Sequence, residues 1–300
     1  PKRGCKLAPL FLVCELHTRM MKVPHAVALT GSVLIFLLLN GCVLGDKRSQ
    51  KEVNPIRPLS PALISAWKKA GFQNAFGSEE KYNQCFTEGK NEAPASIYFQ
   101  TAQFNNVPIN VLESLPLPSE GFGLCLYRNI NGSSIVLDEE KFRWLANLPH
   151  LNSLALDRVQ VSDGVLKGIP QLKNLISLDL SYNLVTDADL EGISNLSNLR
   201  SLGLALTHVT DRGLHEITRL QNLRSLNLLS TQISDNGLEE ISKLKNITEL
   251  DLSYNLITDV GLVHVGKLSN LTKLNVSFTL VTDEGLEKLR VTLPNCRIIR

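Results

Sequence analysis

The apolar positions of this chain fall into register from Leu151 onward. Leu151, Leu175, Leu199, Leu223, Ile247 and Leu271 are spaced by 24 residues, and each interval repeats one phrase. With these positions numbered slot 1, aliphatics fill slots 1, 4 and 6, as in Leu223, Leu226 and Leu228. That alternation predicts a short strand with its apolar side chains on one face. Slot 9 is Asn183, Thr207, Thr231, Asn255 and Thr279 in the second to sixth copies. A short polar side chain there is suited to satisfy backbone groups where the chain leaves the strand. Val159 fills the slot in the first copy and predicts a less regular turn. Slot 12 is Ser162, Thr186, Thr210, Ser234, Thr258 and Thr282, each followed by Asp. Ser or Thr is a preferred helix N-cap, and an acid in the first turn faces the positive end of the helix dipole. Leu238, Ile241 and Leu244 then recur every third residue, the inner stripe of a short helix.

Strand and helix alternating in a unit of this length is the layout of a leucine-rich repeat. The predicted class is α/β: a right-handed horseshoe solenoid with a concave parallel β-sheet and short convex helices. One such unit cannot bury its leucines alone, so the copies must stack. The strand slots between the ladder leucines then face outward from the sheet. Slot 8 reads Arg158, Tyr182, Leu206, Ser230, Tyr254 and Phe278, and slot 5 reads Ala155, Asp179, Gly203, Asn227, Asp251 and Asn275. Parallel strands lie about 4.8 Å apart, so each slot forms a column across the sheet. Tyr supplies contact area with a polar tip, which suits a protein or glycan ligand. Arg158, Asp179, Tyr182, Leu206, Asp251, Tyr254 and Phe278 are the candidate binding residues.

The segment before the repeats is different. Residues 62–120 have no period, and read as a small α+β N-terminal cap or an independent domain. ALISAWKKAGF predicts a helix ending near Gly71, with Leu63, Ala66, Trp67 and Ala70 on one side. SIYFQTAQF, from Ser96, is strand-like. Residues 121–150 read as a diverged first repeat: a strand near Leu124–Leu126, extra residues around Asn129–Ser134, and a helix carrying Phe142, Leu145 and Leu148. The leucine-rich-repeat domain is therefore placed at 121–300.

The first residues read as targeting rather than fold. From Met20 or Met21 a short basic start (Lys22) precedes an apolar core from Ala26 to Leu39. Its order and size suit a secretory signal, and it is short for a membrane span. Leu39-Asn40-Gly41-Cys42 resembles the bacterial lipobox. That resemblance implies cleavage before Cys42 and a lipid on its thiol, placing the protein in the bacterial cell envelope, at the outer membrane rather than the inner. An ordinary signal peptide and a cytoplasmic chain with an apolar start are the alternatives. Residues 42–61, polar with three prolines, read as a tether.

The AWKKAGF helix, the LPLPSEGFGLCL entry and the T-D-x-G-L phrase together resemble bacterial leucine-rich-repeat proteins of the ribonuclease-inhibitor-like superfamily. The T-D-x-G-L phrase is also similar to leucine-rich F-box proteins, but no F-box precedes it here.

Charge narrows the function. Of 31 basic and 29 acidic residues, five basic and one acidic lie before Cys42, leaving 26 against 28. This lacks the basic excess of a nucleic-acid binder. His215-Glu216 begins like a zinc-protease motif, but Arg219 replaces the second histidine. No C-x-x-C occurs, and no catalytic, cofactor or metal constellation is predicted. Of the cysteines after Cys42, Cys85 and Cys125 are placed to bridge cap and first strand, or to stay reduced. The reading is a lipid-anchored, non-enzymatic module that binds a macromolecule on its sheet face. The alternatives are an enzyme with its activity in 62–120 and a passive spacer.

Overall fold

Leu154, Leu178, Leu202, Leu226, Leu250 and Leu274, the slot 4 residues, lie directly opposite one another on neighbouring parallel strands. Each is at most 2% exposed, so the ladder is the spine of the core. The computed structural model describes residues 60–70, 107–119, 121–127, 135–161 and 164–300, and the backbone of 95–100.

Its principal sheet holds nine strands among the described residues. They are β1 (Ala95–Gln100), β2 (Phe122–Tyr127), β4 (Leu151–Asp157), β6 (Ser177–Asp179), β7 (Ser201–Gly203), β8 (Ser225–Asn227), β9 (Glu249–Asp251), β10 (Lys273–Asn275) and β11 (Arg297–Ile299). They run in chain order, and every pairing is parallel. The short β3 (Val136–Leu137) and β5 (Gln160–Val161) pair separately. β2 joins β4 with Leu124 opposite Leu154 and Leu126 opposite Leu156, so the leucine ladder continues into β2. β1 extends that sheet by one strand rather than starting another.

The predicted cap helix is α1 (Pro61–Lys69), capped by Ser60, whose hydroxyl accepts from the Leu63 N–H. Leu63 and Trp67 are buried, and the Trp67 indole donates to the Pro116 carbonyl at 2.8 Å. Its ring lies 6.4 Å from that of Trp144. Trp144 belongs to α3 (Glu139–Ala146), which follows α2 (Ile109–Glu113). The Trp144 indole donates to the Leu112 carbonyl at 3.1 Å, and this bond with the apolar burial packs α1 and α2 against α3.

The outer layer departs from expectation at its start. The first two copies carry 3₁₀ turns, at Val165–Gln171, Asp187–Leu190 and Ile193–Asn195, where short α-helices were expected. Pro170 lies inside the first, and Gly192, at φ 76°, separates the other two. A proline N–H is missing from the ladder, and a left-handed residue cannot continue an α-helix. The later copies carry α4 (Leu214–Ile217), α5 (Asp235–Ile241), α6 (Asp259–Val265) and α7 (Asp283–Thr292).

The T-D-x-G-L phrase does more than cap a helix. Ser234, Thr258 and Thr282 are N-caps as expected. The following Asp, however, reaches into the next copy. Asp187, Asp211, Asp235 and Asp259 each accept both the N–H and the hydroxyl of Thr210, Ser234, Thr258 and Thr282 respectively. The glycine of the next phrase makes room. A Cβ on Gly237 would stand 2.2 Å from Asp211 Oδ1. In the second copy Asp189 occupies the glycine position, and its carboxylate bonds Thr186 within the same copy instead.

Slot 24 adds another inter-repeat bond. Asn174, Asn198, Asn222, Asn246 and Asn270 donate to carbonyls of the preceding copy at 2.7–3.1 Å.

Candidate functional site

The slot 8 residues do not lie on strands. The strands of copies two to six end at slot 5, and Arg158, Tyr182, Leu206, Ser230, Tyr254 and Phe278 follow in the turn beyond. All six have positive φ, between 49° and 62°. The column expected on the strands is therefore a column of left-handed turn residues. Such a φ is unusual for large side chains, and here four of the six turns are tied to the next copy. The N–H groups of Tyr182, Leu206, Ser230 and Tyr254 donate to slot 7 carbonyls of the next copy at 2.8–2.9 Å. The ladder thus outlasts the strands, and successive slot 8 side chains are set side by side.

Their contacts follow that alignment at both ends. The Arg158 guanidinium lies over the Tyr182 ring, 4.8 Å from its centroid. Tyr254 and Phe278 stack at 4.4 Å with their planes 21° apart. Between the pairs stand Leu206 and Ser230, so the aromatic column is interrupted. Phe278 is 58% exposed, and Leu256 and Leu280, two residues beyond the stacked rings, are also exposed. Leu184 repeats the same slot in the second copy and is exposed too. Sequence reasoning passed over this second row because isolated surface leucines carry no signal singly.

Slot 5 has a structural duty the sequence did not disclose. Asp179, Asn227, Asp251 and Asn275 each accept the N–H two residues on, at 2.9–3.1 Å, which fixes the exit from the strand. Asp251 also accepts the Ser253 hydroxyl and the Asn275 amide. Asp179 leans across Gly203, where a Cβ would meet its Oδ1 at 2.3 Å. Burial raises the Asp179 pKa, opposed by its bonds from Ser181.

Slot 9 acts as expected. Asn183 donates to the carbonyls of Leu156, Leu180 and Ser181 and accepts the Val159 N–H. The irregular first turn, with Val159 in place of a polar residue, is thus satisfied by the next copy's asparagine. Asn255 repeats the arrangement across Leu228, Leu252 and Ser253.

Three groups perturbed chiefly by burial lie in the first two copies. The Asp157 carboxyl is pushed up to about 6, chiefly by burial and further by Asp179, against the pull of Arg158. Its Oδ1 is buried with no hydrogen-bond donor, and Arg158 Nε approaches to 3.7 Å. The Tyr182 hydroxyl is pushed up to about 12, again chiefly by burial. On the opposite edge a shallow depression is lined by Asn222, Arg224, Asn246, Thr248 and Asn270. Its asparagines are those engaged between copies. Among the described residues no group of three or more His, Cys, Asp or Glu is arranged to hold a metal. No described helix is long and apolar enough to cross a membrane. Cys42 and Cys85 lie outside the described residues, so the lipid anchor and the Cys85–Cys125 bridge do too; Cys125 itself is buried.

A family model described as "Leucine Rich repeat" matches residues 171–194, 219–242, 243–265 and 267–289. No curated protein sequence matches the chain. Among solved structures the chain is similar to an internalin (inlF) from Listeria monocytogenes, with 21% identity, 59% of this chain and 64% of that one covered, and a TM-score of 0.42. The chain thus spans less than two thirds of that protein's length. It is similar to internalin C2 of the same organism, with 21% identity, coverage of 80% and 92%, and a TM-score of 0.46. A leucine-rich-repeat protein of Leptospira interrogans shares 21% identity, with coverage of 65% and 51% and a TM-score of 0.42. The parallel ladder, the 24-residue period and the family match together establish that this chain carries leucine-rich repeats folded in the leucine-rich-repeat manner.

Proposed function

We propose that the repeats form a non-enzymatic binding module that engages a protein partner through the turn column at the end of the sheet. The observation that carries this reading is the exposed apolar surface of the last two copies: the stacked Tyr254 and Phe278, with Leu256 and Leu280 beside them. Phe278, Leu256 and Leu280 are exposed and Tyr254 is half-buried, and aromatics at a surface are the typical anchors of protein interfaces. The mixed acids and amides of slot 5 border them as a polar rim. A glycan is the lesser candidate, because the rim amides and carboxylates are already engaged in turn bonds.

The proposal extends to location. Cys42, in its lipobox-like context, would carry lipid and hold the module at the bacterial envelope. Mass spectrometry of the mature N-terminal peptide tests this, and an unmodified Cys42 would reject it.

The binding surface is tested with a photo-crosslinking amino acid placed at Tyr254, and separately at exposed Val263 on α6. A discrete crosslinked protein from Tyr254 alone, lost when Phe278 and Leu256 are changed to alanine, is the expected result. Equal crosslinking from both positions would remove the proposal.

A further inference from the structure

The turn column contains one cation already in place, and its setting shows what a second would need. Arg158 comes from slot 8 of the first copy and covers the Tyr182 ring, slot 8 of the second. Three copies on, Tyr254 repeats Tyr182 in the same slot with the same left-handed backbone, φ 58° against 62°. Phe278 covers one face of the Tyr254 ring. The residue standing to Tyr254 as Arg158 stands to Tyr182 is Ser230, whose side chain is too short to cover a ring. Asp251 lies in slot 5 of the Tyr254 copy, as Asp179 does in the Tyr182 copy.

The geometry points to the Ser230 side of Tyr254 as a binding site for an arginine side chain of the partner. This rests on the proposed function and names the chemistry of the group received. A guanidinium is planar, weakly hydrated and stacks on aromatic faces, whereas an ammonium is compact and strongly hydrated. Phe278 stacks on the other face of the Tyr254 ring, and the half-buried Leu229, slot 7 of the copy on the Ser230 side, supplies an apolar neighbour there.

The charge at Asp251 is the separate argument. Its turn bond to the Ser253 N–H is made equally well by neutral Asn227 and Asn275 in neighbouring copies. Both Asp251 oxygens are engaged, Oδ1 by the Ser253 N–H and hydroxyl and Oδ2 by the Asn275 amide, so what Asp251 offers a cation over Tyr254 is its charge rather than a vacant lone pair.

The test is an NMR titration of the full chain with the peptide acetyl-Gly-Gly-Arg-Gly-Gly-amide. Controls carry citrulline, the neutral isostere, or lysine in place of arginine. The expected result is saturable shifts at Ser230, Asp251, Tyr254 and Phe278 with the arginine peptide, several-fold weaker binding with lysine, and none with citrulline. Ser230→Arg should abolish the shifts, because the chain's own guanidinium then occupies the ring. Arg158 shows that this slot accepts arginine at φ 55°. Ser230→Asn, a short residue at ease with positive φ, should retain them and shows that the backbone has not moved. Asp251→Asn should weaken binding several-fold; it keeps the turn bonds from Ser253 and gives up the bond from the Asn275 amide. Equal shifts with citrulline would overturn the cationic site yet leave the column as a docking surface. No shift with arginine, or undiminished shifts in Ser230→Arg, would overturn the inference outright. The crosslinking experiment at Tyr254 remains decisive for the broader reading in either case.

Discussion

Asp211 accepts the Ser234 backbone N–H at 2.9 Å and the Ser234 hydroxyl at 2.6 Å, although the two residues belong to different repeats. One carboxylate thereby joins the N-cap of one helix to the start of the previous one. Replacing Asp211 with alanine leaves a partly buried N–H and a hydroxyl without their acceptor. A loss of about 1–3 kcal/mol is expected, read from urea midpoints with the slope unchanged. No loss would mean that solvent substitutes for the carboxylate.

Gly237 is coupled to that bond through space. Helix propensity alone favours alanine over glycine by about 1 kcal/mol. Here the new Cβ would sit 2.2 Å from Asp211 Oδ1 and 2.8 Å from Leu214 Cδ1. Gly237→Ala is therefore expected to destabilise, and by less in the Asp211→Ala background. A double-mutant cycle checks the sign, and strict additivity of the two changes would contradict the coupling.

Asn183 closes the turn that Val159 leaves open. Its amide serves three carbonyls and one N–H in a buried setting. Asn183→Ala is expected to cost roughly 2–4 kcal/mol, with Asn183→Thr milder because Thr207 and Thr231 hold the same slot with one carbonyl bond each. Hydrogen exchange at the Val159 amide should report the alanine change first.

Asp157 gives a pH dependence of definite sign. Its carboxyl titrates near 6, above the ordinary value near 3.8, so the folded state binds the extra proton. Its contribution to stability is present at low pH and is lost as pH rises from about 4 through about 6. The side chain is 36% exposed, so solvent screening keeps the effect to about 1 kcal/mol. Asp157→Asn should stabilise the protein by about that much at pH 7.5 and change nothing at pH 4. Equal effects at both pH values would refute the assignment.

The leucine ladder was legible because its cause is local: a buried leucine at slot 4 has no substitute among polar residues, so the pattern survives in every copy. The caps at Ser234, Thr258 and Thr282 were legible for the same reason, whereas α4 starts from Gly213 rather than Thr210. The role of Asp211 was read only halfway, since its partner lies 23 residues on and nothing in one repeat announces it. The 3₁₀ turns of the early copies were signalled by Pro170 and Gly192, but the stronger periodicity of the later helices masked them. Slot 8 was assigned to the strands because spacing gives alignment between copies and says nothing of φ. The sequence therefore placed the column correctly from copy to copy and wrongly along each unit. That Tyr254 stacks on Phe278 while Arg158 covers Tyr182 depends on that turn, and no single repeat contains it.

The left-handed turn at slot 8 has a further consequence. The same backbone bend carries arginine, tyrosine, leucine, serine and phenylalanine in turn, held by amides that do not involve the side chain. Under the function proposed above, specificity is consequently written in exchangeable letters on a fixed page. On that reading, a single codon change at any of these six positions would alter what the protein greets without asking the scaffold to refold, so ligand preference can drift across such an edge far faster than architecture.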